Sequence, residues 1–283
     1  MIFMSPISDI GFKKLFANNK RKNILISFLN SVLEREEGHK ITEVEITDPN
    51  NNPEHSREKH SIVDIRCKDQ SNKMYIIEMQ VVEQEDFAQR TQYYTSRAIA
   101  QQLKKGDNYG KLVPVIFVGV VDFKLFQSPE YLSHHLIMNS KTHEQTLLQM
   151  EFHFLELSKF NKKVTELDGL VDKWIYLLKN ACDFKQVPKE LKKPAEIEEA
   201  MEALEQGMWT DAEIEAYEKY WDAVRNEASI YNTWHGKGKV EGIAEGKKEQ
   251  AIVIALKLLA KGVDISEIEG LTDLTVDEIK KLK

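Results

Sequence analysis

The sequence IVDIRCK-DQSNK-MYIIEMQVV, residues 62–82, is the most informative stretch of the chain. Its two outer parts, 62–68 and 74–82, are rich in β-branched and apolar side chains, and the polar part between them, 69–73, has turn chemistry. This pattern predicts a β-hairpin. Because side chains on a strand alternate between its two faces, each strand presents one set of polar residues on a single face. On the first strand, the residues that share this face are Ile62, Asp64 and Arg66. On the second strand, they are Ile76, Glu78 and Gln80.

The turn fixes which residues of the hairpin face each other. A three-residue loop centred on Ser71 makes the numbers of opposed residues add to 142, so Asp64 faces Glu78 and Arg66 faces Ile76. Opposed residues have Cβ atoms roughly 4.5–5.5 Å apart. Two carboxylates at that separation repel unless a positive charge lies between them. A hard divalent cation with oxygen ligands meets this requirement.

A plainer interpretation is a half-exposed hairpin whose charged residues face water. One detail weighs against it, because Glu78 interrupts the apolar run 74–82, which has the composition of a strand buried on both faces. A buried carboxylate is costly unless it is paired or binds a metal.

The spacing of these residues resembles a known motif. Asp64, thirteen intervening residues and then Glu78-Met79-Gln80 are similar to the D-x(n)-E-x-K motif of the PD-(D/E)XK nuclease superfamily. Among its branches the chain most resembles the PD-(D/E)XK nuclease family transposases, or Rpn recombination-promoting nucleases, which have Glu-x-Gln. The resemblance extends from Asp9 to Phe126, and two positions depart from the superfamily pattern: Val63 replaces a proline and Gln80 replaces the lysine. Further segments that carry it are SDIGFKKLF (8–16), Arg90-x-x-x-Tyr94, Tyr109 and the spaced C-terminal glycines.

The resemblance implies a fold and a chemistry. The fold is α/β, a restriction-endonuclease-like αβββαβ core with a mixed sheet and a helical C-terminal extension. The activity is a Mg²⁺-dependent DNA endonuclease, a hydrolase of phosphodiester bonds, with Mn²⁺ as an alternative ion and an association with mobile DNA or recombination. Asp64 and Glu78 would bind the metal together with the Met79 carbonyl, and Gln80 would orient water or a phosphate oxygen.

Candidate DNA contacts lie on both sides of the hairpin. Residues 86–104 are predicted to form a helix on which Arg90, Tyr94, Arg97 and Gln101 share one face, a stripe suited to a phosphate backbone. The alternative is a surface helix with its tyrosine packed on the sheet. Arg57, in the loop before the hairpin, either contacts phosphates or is simply solvated.

Composition limits the class of protein. The 283 residues contain 42% hydrophobic and 30% charged residues, as in ordinary globular proteins. Two cysteines and the absence of a recognisable signal peptide favour a reducing cytoplasm, and the longest apolar run, 112–121, is too short to span a bilayer. The net charge of −7 falls entirely within residues 186–283, with 14 basic and 21 acidic side chains, so it neither supports nor excludes DNA as a partner.

The remaining pattern completes the predicted core. Ser8-Asp9 is predicted to cap a first helix, with a role for Asp9 in the active site as the alternative. The predicted helices are a first one from that cap, a second over 20–36 and a last one over 158–180; the predicted strands are 41–47, 112–121, 134–139 and 147–157.

The C-terminal third differs in composition. We predict a boundary between residues 187 and 188, with a nuclease-like domain over 1–187 and an acidic helical extension over 188–283. The extension contains the glycines 236, 238, 242 and 246, and two segments that resemble capping boxes, Asp264-x-x-Glu267 and Thr275-x-x-Glu278. Its helices could join two copies of the chain or bind a protein partner. The competing hypothesis for the whole chain is therefore a catalytically weak interaction module with a nuclease fold.

Overall fold

A six-stranded mixed sheet forms the centre of the chain in the computed structural model, which describes residues 2–48, 50–51 and 61–282. The sheet order is β1-β4-β5-β6-β8-β7, and β2 and β3 form a separate two-stranded pair. The strands are β1 (Val44–Thr47), β2 (Asn50–Asn51), β3 (Ser61–Ile62), β4 (Ile65–Asp69), β5 (Met74–Gln80), β6 (Val115–Val121), β7 (Leu132–Leu136) and β8 (Met150–Glu156).

The helices lie before, between and after the strands. They are α1 (Asp9–Phe16), α2 (Lys22–Val32), α3 (Phe87–Ala100), α4 (Gly169–Asn180), α5 (Ala195–Leu204), α6 (Asp211–Ala260), α7 (Ile265–Thr272) and α8 (Val276–Lys280). Strands β5, β6 and β8 are parallel, whereas β1, β4 and β7 pair antiparallel with their neighbours. The predicted α/β fold with a mixed sheet and C-terminal helices is confirmed.

The central hairpin has the register that the sequence predicts. Ile65 pairs with Ile77 and Arg66 with Ile76. In the turn, the Asp69 carboxylate accepts the N–H groups of Ser71 and Lys73 at 2.8 and 3.0 Å. Asn72 takes the left-handed conformation, with φ of 63°, which asparagine tolerates better than most residues. The aspartate and the asparagine therefore set the loop length, and the loop length sets the register.

Two hydrophobic cores lie on opposite faces of the sheet. One face packs against α1, α2, α4 and α5 through residues such as Tyr75, Ile77 and Met79 of β5. The other face packs against α3 through Met74 and Ile76 of the same strand. Because β5 and β6 are buried on both faces, their sequences are almost continuously apolar.

Several predicted strands and helices have wrong boundaries. The first strand begins at Val44 because the Asn30 side chain occupies both backbone hydrogen-bonding groups of Ile41 at 2.8 Å. The helix predicted over 158–180 begins at Gly169, which has φ of 78°. Residues 157–168 instead form short 3₁₀ turns, and Phe160 is buried in the core.

The compact units divide the chain at a different place from the boundary predicted at 187/188. They are residues 1–224 and 225–283. Residues after 188 belong to the first unit because α5 buries Ile197, Met201 and Leu204 in the same core as α1 and α2. The N-terminal segment also bonds to this region, since the Met4 N–H donates to the Leu204 carbonyl at 2.8 Å.

The second unit has its own small core, formed by Ala255, Ile268, Leu274 and Ile279. The Thr275–Glu278 capping box is present, and Asp264 caps α7 by accepting the Ser266 N–H. The long helix α6 ends at Ala260, shortly before Gly262. In the described part of the chain, no helix combines the length and the apolar character needed to cross a membrane.

Candidate active site

Asp64 and Glu78 lie next to each other where the hairpin ladder ends. Asp64 lies in a bend immediately before β4, one position beyond the Ile65–Ile77 pair. One of its carboxylate oxygens, Oδ2, accepts the backbone N–H of Met79 at 2.7 Å. This bond joins the first carboxylate to the strand that carries the second.

Glu78 points from β5 toward α3 and is only 6% exposed. Its Oε1 accepts a hydrogen bond from Arg90 Nη2 of α3 at 2.8 Å. Its Oε2 is buried and has no hydrogen-bond partner in the described part of the chain. A buried carboxylate oxygen without a partner is costly, so this atom is a candidate contact for a ligand.

Burial disfavours the charged form of both carboxylates. Burial, followed by repulsion from Asp64, raises the pKa of Glu78 to about 7 from 4.5, and Arg90 opposes the rise. Burial raises the pKa of Asp64 to about 6 from 3.8, while the hydrogen bond from Met79 opposes it. A cation between the two oxygens would reverse this cost.

The donor set fits a divalent metal ion. Mg²⁺ commonly binds through one or two carboxylates and completes its shell with water and substrate phosphates. Asp64 and Glu78 supply that number of carboxylates, and Glu78 Oε2 is an unused acceptor. No cluster of three or more histidine, cysteine, aspartate or glutamate side chains with metal-binding geometry occurs among the described residues.

Met79 and Gln80 follow Glu78 on β5. The side chain of Met79 is buried in the core, and its N–H is bonded to Asp64. A residue's N–H and C=O point to the same neighbouring strand, so the Met79 carbonyl is directed toward the side on which Asp64 lies. Gln80 is half-buried, and its side-chain amide donates to the Val82 carbonyl at 3.1 Å, an arrangement that holds its Oε1 as an acceptor.

Helix α1 contributes a second pair of charges near Asp64. Asp9 does not cap the helix: Ser8 does, by accepting the Gly11 N–H at 3.0 Å. Asp9 instead pairs with Lys13 at 2.7 Å. The Asp9 carboxylate raises and the Lys13 ammonium lowers the pKa of Asp64, so both charges lie within electrostatic reach of it. Sequence analysis did not identify Lys13, because its i, i+4 ion pair is typical of any surface helix.

The structure places the predicted DNA-binding residues in different surroundings. Arg90 contacts Glu78 and lies over the ring of Tyr94 at 5.9 Å. Arg97 lies over the exposed ring of Tyr93, also at 5.9 Å. Arg57 lies outside the described residues. Arg90 thus contacts a member of the carboxylate pair, while Tyr94 packs partly against the core beneath α3.

These features define a protein with a nuclease fold: a β-hairpin, the helix α3 that follows it, and a pair of neighbouring carboxylates. The chain belongs to the PD-(D/E)XK nuclease family transposases, whose family model matches residues 6–233. Neither the curated proteins nor the solved structures include a match to this chain. The family match includes α1, the hairpin, α3, all the sheet strands and α5.

Proposed function

We propose that this protein is a divalent-metal-dependent DNA endonuclease that hydrolyses phosphodiester bonds, associated with mobile DNA or recombination. The observation that carries the proposal is the buried Glu78 Oε2, which has no hydrogen-bond partner among the described residues and lies near a half-buried carboxylate, Asp64. Membership of a nuclease family supports the reaction class.

Asp64 and Glu78 would hold Mg²⁺, or Mn²⁺ in its place, with the Met79 carbonyl as the third protein ligand. A bound divalent ion lowers the pKa of water and offsets negative charge on the attacked phosphate.

The other residues position these groups. Arg90 binds Glu78 Oε1 and so keeps Oε2 as the oxygen left for a ligand. The Met79 N–H fixes the orientation of Asp64. Gln80 would orient the attacking water or a phosphate oxygen through its Oε1, because its amide nitrogen is bonded to Val82. An amide carries no charge, so Gln80 cannot replace a lysine as a cation; Lys13 and Arg90 are the cations that act on Asp64.

DNA is the proposed substrate, and the cytoplasm is the proposed location, in keeping with two free cysteines, Cys67 and Cys182. A homo-oligomer or protein partner would use the second unit, which exposes Ile243, Val253, Ile254, Leu256 and Leu271.

The test is cleavage of plasmid DNA by the purified protein with Mg²⁺, with Mn²⁺ and with a chelator. Asp64→Ala and Glu78→Ala should each abolish cleavage and retain the circular dichroism spectrum of the wild type. Glu85→Gln is the matched control, because Glu85 is an exposed carboxylate shortly after the motif. Cleavage at the wild-type rate by either alanine variant would contradict the proposed site.

A further inference from the structure

Strand β4 carries two basic residues, Arg66 and Lys68, on the face that packs against α3. They pair with Ile76 and Met74 of β5, whose side chains belong to the core on that face. Both line a polar cavity of about 660 Å³, together with Thr47, Asn72 and Gln101. This cavity lies at the end of β4 that is remote from the carboxylate pair, because Lys68 pairs with Met74 at the start of β5.

Helix α3 forms a wall beside this face. Arg90 near its start contacts Glu78, and Gln101 at its end lines the cavity. Tyr94 and Arg97 fall between them on the same flank. The opposite flank, with Ala88, Gln92 and Ser96, lines a different cavity near β7 and β8. Arg90 and Gln101 mark the two ends of the first flank of α3. We call this flank, together with the cavity at its end, the groove.

The charges in the groove are mostly positive away from the carboxylate pair. Lys68 is half-buried and makes no ion pair within the described part of the chain. Arg66 is half-buried as well, and burial lowers its pKa while Asp48 opposes that effect. Asp48 also lines the cavity, so it is the anion that would repel a phosphate there.

We propose that this groove binds the phosphate backbone of the DNA strand next to the scissile phosphate, with Lys68 and Arg66 as phosphate contacts. The inference rests on the proposed endonuclease function and adds a substrate-binding subsite to it. Four residues of strand span about 13 Å at about 3.3 Å per residue. A duplex rises about 3.4 Å per base pair, so Lys68 would contact DNA about four base pairs from the cut.

The experiment measures binding of a fluorescein-labelled DNA duplex to the full chain, without divalent metal, over a series of salt concentrations. Each lost phosphate contact should reduce the slope of log K against log salt by about 0.9. Lys68→Ala should show that reduction and weaker binding, and Lys68→Arg should restore both. Asp48→Asn should bind more tightly than the wild type, because it removes the anion facing Arg66.

Lys141→Ala is the matched control. It removes one positive charge from an exposed turn after β7, at the opposite edge of the sheet, and should retain the wild-type slope. Equal slopes for Lys68→Ala and the wild type, or no binding by the wild type, would overturn the inference. Cleavage assays on the same variants separate the two proposals: a chain that cleaves DNA with an unchanged Lys68→Ala slope loses only the groove, whereas a chain that binds through Lys68 but never cleaves loses only the endonuclease function.

Discussion

Three buried carboxylates of this chain show two different kinds of environment. Asp172 and Glu156 are at most 1% exposed, and both oxygens of each accept hydrogen bonds. Asp172 accepts from Tyr131, Lys162 and the Asp168 N–H; Glu156 accepts from Lys159 and the N–H groups of Leu125 and Phe126. Glu78 is buried to a similar degree, yet only one of its oxygens has a partner in the described part of the chain.

From this difference we propose a structural role for Asp172 and Glu156 and a ligand-binding role for Glu78. A fully bonded carboxylate in the core holds neighbouring elements together, and removing it leaves its donors unsatisfied. A carboxylate with one unused oxygen, beside a second carboxylate, lowers stability in the absence of a ligand. Carboxylates in such an environment are typical of ligand-binding and catalytic sites.

Stability measurements give the largest expected contrast. Glu156→Ala should lower the free energy of unfolding by about 3–5 kcal/mol, the usual cost of removing one member of a buried ion pair, because its partner Lys159 is only 6% exposed. Glu78→Gln should leave it unchanged or raise it in metal-free buffer above pH 7, because the amide is not charged. Chemical denaturation of both variants measures the two effects. A large loss of stability in Glu78→Gln would mean that Glu78 is structural, like Glu156.

Cleavage kinetics test whether Gln80 belongs with Glu78. Gln80→Ala should slow single-turnover cleavage at saturating Mg²⁺ by roughly 10²–10³, the cost of removing a positioned hydrogen-bonding group at other electrostatic sites. Gln80→Lys restores the residue commoner in the superfamily and should retain activity. Cleavage by Gln80→Ala at the wild-type rate would show that only the carboxylates form the site.

The pH dependence of stability should also distinguish the pair Asp64 and Glu78 from the fully hydrogen-bonded carboxylates. The pKa values of Asp64 and Glu78 are raised in the folded state, from 3.8 to about 6 and from 4.5 to about 7. Their contribution to stability is therefore fully present below the unfolded values and is lost as the pH rises through about 7. Thermal melts should show this loss in metal-free buffer, and Mg²⁺ should restore the melting temperature most at the alkaline end.

The Asp64→Ala, Glu78→Gln double variant provides the control, since its melting temperature should not respond to Mg²⁺. An equal response to Mg²⁺ at all pH values in the wild type would place the ion elsewhere on the chain.

Truncation should have the smallest effect. A chain ending at residue 235 retains the whole first compact unit, residues 1–224, with all three buried carboxylates. It should unfold cooperatively with nearly the wild-type midpoint for this unit. Loss of cooperative unfolding would show that residues after 235 stabilise the first unit.

The hairpin could be predicted because its signals are local. Alternating side chains identify the strands, and Asp69 and Asn72 fix the loop and hence the register. The Ser8 cap and the Thr275–Glu278 capping box were identified for the same reason. The domain boundary could not be predicted from composition, because the contacts of α5 with α1 and α2 join residues that are far apart in sequence.

Alternation and turn length act within twenty residues, so the sequence was enough to predict that Asp64 and Glu78 lie close together. The spacing of those two carboxylates and Gln80 was also enough to predict the family. That Arg90 binds one oxygen of Glu78, and that the other has no partner among the described residues, follows from the tertiary structure. Only it placed Arg66 and Lys68 across from the flank of α3. The physical reason is that burial and charge pairing depend on packing between distant segments, which no local pattern encodes.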